Sequence, residues 1–193
     1  MNYRNVVYQL GLLLLVLSAI LLLLVAWSAL RLLLGHDVDM AAFLAIGVTA
    51  LLGGVAAGIA LVLTRNRDRY IGRREAMLLV ALTWGIGSAV AALPFRLWTL
   101  FGGHGAGGHE FDSFINCYFE SVSGLTTTGA TVLGDIQSLP DSLLLWRSLT
   151  HWLGGLGIVV LFVAVLPTLG VGAKRLFRVE ATGPSPEGLQ PTI

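Results

Sequence analysis

The chain has 193 residues, of which 55% are hydrophobic and only 12% charged, and its mean hydropathy is +0.81. That composition excludes an ordinary soluble domain and assigns the chain to a lipid bilayer. The formal net charge of +1 conceals a marked asymmetry in where the basic residues fall, and the one cysteine, Cys117, has no partner for an intrachain disulfide and reads as a small packing residue.

Crossing a hydrocarbon core of about 30 Å takes roughly 20 apolar residues at about 1.5 Å per helical residue. Four such runs are present, at Val6 to about Leu34, Ala41 to Leu63, Ala76 to Leu93, and Leu143 to about Leu169. Leucine dominates them, which argues for helices over barrel strands. The first run is longer than a secretory signal and lacks a small-residue cleavage site after it, so it reads as a retained helix.

With the N-terminus in the cytoplasm, nine basic residues fall inside: Arg4, Arg65, Arg67, Arg69, Arg73, Arg74, Lys174, Arg175 and Arg178. Arg31, Arg96 and Arg147 alone fall toward the outside, the bias expected when short basic loops resist translocation. The arginine-rich stretch TRNRDRYIGRRE joins two spans and leaves no room for a nucleic-acid-binding domain. Glycines at Gly54 and Gly58 in the second run form a GxxxG spacing, mostly a packing signal.

The outer connections are unequal. GHDVDM joins the first two runs, whereas roughly fifty residues, from Pro94 to Ser142, separate the third from the fourth. This long segment opens with a glycine-rich stretch and continues as FDSFINCYFESVSGL, a helix of about a dozen residues with Asp112 or Ser113 as its N-cap. That length crosses only part of a membrane. The following TTTGATVLGD resists helix formation, so a half-helix leads into extended chain.

Irregular backbone at membrane depth requires protein or a water-filled cavity to satisfy its polar groups. An extended stretch lining an aqueous path turns carbonyl oxygens toward the axis, where they replace the hydration shell of a cation. Gly129 is the candidate for a backbone position that other residues resist. The C-terminal end of the half-helix carries about half a negative charge and favours a cation at the same place. Glu120, within the half-helix, requires a basic or hydroxyl partner behind the strand, and Arg147 is a candidate.

The string ESVSGLTTTGATVL, followed by LLLWRSLTHWLGGLGIVVLFVAVLPTLGVGAKRLFR, resembles the first pore repeat of the TrkH and KtrB superfamily of potassium transporters, in its TrkH branch. The resemblance implies an all-α membrane protein: a hairpin with a basic cytoplasmic loop over 1–70, a helix, pore loop and helix repeat over 71–178, and a cytoplasmic tail over 179–193. By similarity to the channel filter TVGYG, Thr127, Thr128, Gly129, Ala130 and Thr131 form the filter strand, with potassium at Thr128 and Gly129 and with Glu120 and Arg147 as support. The chain departs from that motif at its tyrosine and second glycine. The family has four such repeats around one pore, so the resemblance implies a fragment or truncated gene product. It further implies potassium as transported ion without a covalent cofactor, a homodimer, a nucleotide-binding regulatory ring of the TrkA type, and the bacterial cytoplasmic membrane.

Other residues carry weaker signals. Gly154, Gly155 and Gly157 suit either close helix packing or a flexible gate. His151 is either a packed residue or a proton-sensitive group facing the pore. His104, His109 and Glu110 have no standard metal-site spacing. A serine hydrolase using Ser123 and His151 is a competing class, but the usual nucleophile turn needs a glycine where Ser121 stands. An inert assembly subunit would fit the hydrophobicity and leave the pore loop unexplained.

Overall fold

A computed structural model of the chain describes residues 3–65, 72–104 and 108–165. The middle of the basic loop, Lys174, Arg175, Arg178, the end of the fourth apolar run and the tail lie outside the described residues. The chain divides into two compact units, Met1–Gly157 and Ile158–Ile193. The described part of the second is the helical stretch 158–165. The packing below belongs to the first.

Five α-helices follow in chain order: α1 Tyr3–Leu33, α2 Met40–Leu63, α3 Arg73–Leu100, α4 Phe114–Leu125 and α5 Asp141–Val165. Among the described residues every regular element is helical, and three helices, α1 to α3, are long and apolar enough to cross a membrane. Leucine covers α1 nearly all round. Leu17, Leu21 and Leu24 are buried while Leu22 and Leu23 are exposed, as befits a helix whose outer face meets lipid rather than water.

α1 and α2 form an antiparallel hairpin. Gly35 adopts φ +79° after α1, and the amides of Gly35 and His36 bond back to Leu32 and Arg31 carbonyls, closing the helix in a left-handed cap. Asp39 then caps α2 by accepting the Ala42 amide at 2.7 Å. At the other end, Arg4 donates to the Leu63 carbonyl at 3.2 Å, covering an acceptor the helix terminus leaves open. Tight contacts between the two helices lie at Gly53, where an added Cβ would stand 2.5 Å from Ser18 Oγ, and at Gly11, where one would stand 3.0 Å from the Ala60 Cβ. Gly58 has open space around it and Gly54 touches Ser18 only at van der Waals distance, so the GxxxG spacing does not mark the close approach.

α3 continues seven residues beyond Leu93, through Pro94. Proline removes the amide that would bond the Val90 carbonyl and normally breaks a helix. Here the site is buried in protein, and the next carbonyl, that of Ala91, accepts the indole N–H of Trp146 at 3.0 Å. A neighbouring helix thus supplies a donor where the ladder is weakened. Phe95, Trp98, Phe111, Cys117, Leu143 and Trp146 join the α1–α2 leucines and alanines in one core.

The end of α3 seats the start of α4. Trp98 bonds Asp39 at 3.4 Å and lies edge-on to the His109 ring, 5.0 Å between centroids. Phe95 meets Phe111 at 4.9 Å, and Thr99 donates to the Phe111 carbonyl at 3.2 Å. His109 Nδ1 accepts the Phe111 amide at 3.0 Å, while Asp112 accepts the His109 amide at 2.9 Å. A short 3-10 turn, Glu110–Asp112, follows, and Ser113 takes the N-cap position of α4 without a side-chain bond. The Asp112 carboxyl is held below its ordinary range, chiefly by that amide.

Burial pushes the His109 imidazole below its ordinary value of 6.5, against opposing pulls from Glu110 and Asp112. The fold therefore favours the neutral ring, whose Nδ1 can accept the Phe111 amide. This contribution is complete above the unfolded-chain value of about 6.5 and is lost as pH falls below it. Exchange protection of the Phe111 amide is expected to drop below about pH 6.5, and His109→Asn, which keeps an acceptor without titrating, should flatten that profile.

Candidate functional site

α4 is 12 residues long, about 18 Å at the helical rise. It starts beside the C-terminal end of α3. α5 begins at the same face, where Asp141 in its first turn pairs with Arg31 at the end of α1. The chain between α4 and α5 must therefore enter and return on one side. This is a re-entrant loop.

Its turning point is built from the C-terminus of α4. The amides of Thr126, Thr127 and Thr128 bond the carbonyls of Val122, Gly124 and Ser123 at 2.8, 2.9 and 2.9 Å. Thr127 takes the left-handed position of this cap with φ 56°. A β-branched residue there is strained by about 1–3 kcal/mol and persists only when its surroundings enforce it. Those surroundings are close. Gly154 of α5 packs on the backbone of Leu125, where a Cβ would stand 2.0 Å from the carbonyl oxygen, and Gly124 faces Thr150 with equally little room. Gly155 faces the Thr127 methyl, whereas Gly157 has open space.

Beyond the cap, Thr126 through Ala130 are exposed. Gly129 has φ +77° and no atom near a would-be Cβ, so conformation rather than crowding calls for glycine here. Thr126 and Thr128 share a hydroxyl bond of 2.8 Å. Among the described residues the carbonyls of Thr127, Thr128 and Gly129 accept no hydrogen bond, whereas that of Ala130 accepts the Ser123 hydroxyl at 2.6 Å.

Glu120 anchors the returning strand. Its carboxylate is 1% exposed and accepts bonds from three residues on two segments. Oε1 accepts Arg147 Nε at 2.6 Å, and Oε2 accepts the Thr131 hydroxyl at 2.9 Å and the Val132 amide at 3.2 Å. The Thr131 hydroxyl also accepts the Leu133 amide at 3.1 Å. A charge so enclosed is tolerated because an ionic partner and further donors compensate its lost hydration.

Ser123 and His151 do not form the arrangement a hydrolase requires. The serine hydroxyl is committed to Ala130, and His151 Nδ1 lies 2.9 Å from the Arg147 carbonyl of its own helix. Sequence reasoning missed the structural use of Ser123. The signal was its position three residues after Glu120, which puts both on one face of α4. Gly124 was missed as well, although it mirrors the glycines of α5.

Irregular backbone at membrane depth is tolerated only where protein buries it or a water-filled cavity meets it, which points to the class of membrane proteins with a protein-lined path. The model of the TrkH family, described as a cation transport protein, matches residues 63–190, most of the chain, which therefore belongs to that family. A Trk system potassium uptake protein TrkH of Halomonas elongata is 38% identical over 185 residues, covering 95% of this chain and 35% of that protein. The TrkH protein of Escherichia coli K12 is 42% identical over 120 residues, 62% of this chain and 23% of that protein. The TrkI protein of Halomonas elongata is 37% identical over 139 residues, 72% of this chain and 26% of that protein. The matched part of the chain thus spans 23% to 35% of these relatives' length.

Arg147→Met is expected to destabilise the protein by about 3–5 kcal/mol, because it strands a buried carboxylate. Glu120→Gln, which keeps an acceptor for Thr131 and Val132, should cost less. Thermal unfolding in detergent checks the order, and equally small effects of both would contradict the assigned role of the pair.

Proposed function

We propose that this chain forms one wall of the selectivity filter of a potassium-uptake transporter. The observation that carries the reading is the exposed strand Thr126–Ala130. It starts at a strained left-handed threonine, turns through Gly129 at φ +77°, and is anchored behind by the buried Glu120–Arg147 pair. The names of the relatives, potassium uptake proteins, give the ion.

In this reading the carbonyls of Thr127, Thr128 and Gly129 face the path and replace part of the hydration shell of potassium, which sits closest to Thr128 and Gly129. The Thr131 hydroxyl fastens the end of the strand to Glu120, a bond of its side chain and not of its backbone carbonyl. The C-terminal dipole of α4 adds a favourable potential for a cation. Three more walls, supplied by repeats of the same kind, surround the axis. Inward movement is driven by the membrane potential, about 2.3 kcal/mol per charge per 100 mV.

The basic bias supports a cytoplasmic N-terminus and the bacterial inner membrane. Arg4 bonding Leu63 keeps the N-terminus and the end of α2 together on that side. Gly154 holds α5 against α4, and Gly157, with free space around it, is the candidate point of flexion for a gate. The domain reading keeps the 1–70 hairpin, the 71–178 repeat and the 179–193 tail, with a homodimer and a nucleotide-binding ring of the TrkA type as partners.

The test is a chimera in which residues 63–190 replace the matching region of the Escherichia coli relative, in cells lacking other potassium uptake. Growth on low potassium is expected, and Gly129→Arg should abolish it while Gly129→Ser should let sodium compete with rubidium uptake. Normal uptake and sodium rejection in both variants would overturn the reading.

A further inference from the structure

The carbonyls of the strand are not equivalent. Ala130 accepts the Ser123 hydroxyl at 2.6 Å, and Ser123 is 5% exposed within α4. A carbonyl oxygen takes donors near its own plane, roughly along its lone-pair directions, so a bond this short to the half-helix holds the Ala130 oxygen toward α4. The next two residues continue the seam, since Thr131 and Val132 both bond Glu120, one helical turn before Ser123. Three consecutive strand residues are thus fastened to one face of α4. The amides of Thr127 and Thr128 close the α4 cap, but among the described residues the carbonyls of Thr127, Thr128 and Gly129 accept no such bond.

Resting on the pore reading above, we infer that Ser123 is a positioning residue that withdraws the Ala130 carbonyl from the ion path. This wall then offers a dehydrated monovalent cation the carbonyls of Thr127, Thr128 and Gly129 and omits the fourth. Conduction requires an ion to be held well enough to enter and weakly enough to leave. Withholding one oxygen at the mouth of the wall lowers retention there. A carbonyl deprived of its donor is free to take another positive partner, and on an exposed strand beside the path the permeating ion is one.

The experiment uses the complete transporter containing this chain, with potassium and rubidium uptake measured for Ser123→Ala, Ser123→Thr and Ser123→Cys. Ser123→Ala is expected to lower the potassium KM at least threefold and to lower Vmax, because the ion is held longer. Ser123→Thr, which keeps the hydroxyl, should restore the parent values. Ser123→Cys, a weak donor of similar size, should shift KM in the same direction by less, and it replaces the alanine variant should that fail to fold. An unchanged or raised KM in Ser123→Ala or Ser123→Cys, or a threonine variant behaving like alanine, would overturn the inference. A parent transporter without potassium uptake would instead overturn the pore reading.

Discussion

The Glu120 carboxylate is the constraint on which the rest of the structure depends. Burying a lone carboxylate costs several kcal/mol, so its partners are not optional, and they come from two segments other than its own. Arg147 is carried by α5, Thr131 and Val132 by the returning strand, and Glu120 itself by α4. The need to satisfy one charge therefore fixes the register of three segments at once. Trp146, adjacent to Arg147, passes that register to α3 through the Ala91 carbonyl. The long helices supply a scaffold, and this carboxylate sets the strand on it.

The strand is consequently held at both ends and free between them. At its start the α4 cap forces Thr127 into a left-handed conformation, enforced by the contact of Gly154 with Leu125. At its end Ser123 and Glu120 fasten Ala130 through Val132. Strain at one end and a buried ion pair at the other are both costly features, and such features concentrate at functional sites. Under the reading proposed above, the irregular backbone of this strand, rather than its side chains, meets the path.

Much of this was legible in the sequence. Leucine runs gave the long helices, and the dozen residues of FINCYFESVSGL before a threonine and glycine string gave a half-helix that could not span. What was not legible depended on tertiary neighbours. Pro94 reads as a helix end, yet α3 runs through it, buried in protein, with the adjacent Ala91 carbonyl accepting a tryptophan more than fifty residues later. Gly54 and Gly58 match a packing spacing, yet Gly53 makes a tight contact because Ser18 happens to face it. Thr127 gives no sign of a positive φ, since nothing local favours one. Ser123 looked like a nucleophile candidate because its acceptor, Ala130, lies across a turn whose geometry the residue string does not encode.

The most direct test of the central claim is to locate the ion. A structure of the complete transporter grown in thallium or rubidium should show anomalous density beside the carbonyls of Thr127, Thr128 and Gly129, with none against the Ala130 oxygen. Density absent from that strand, or found instead at the Glu120 carboxylate with Arg147 displaced, would contradict the account.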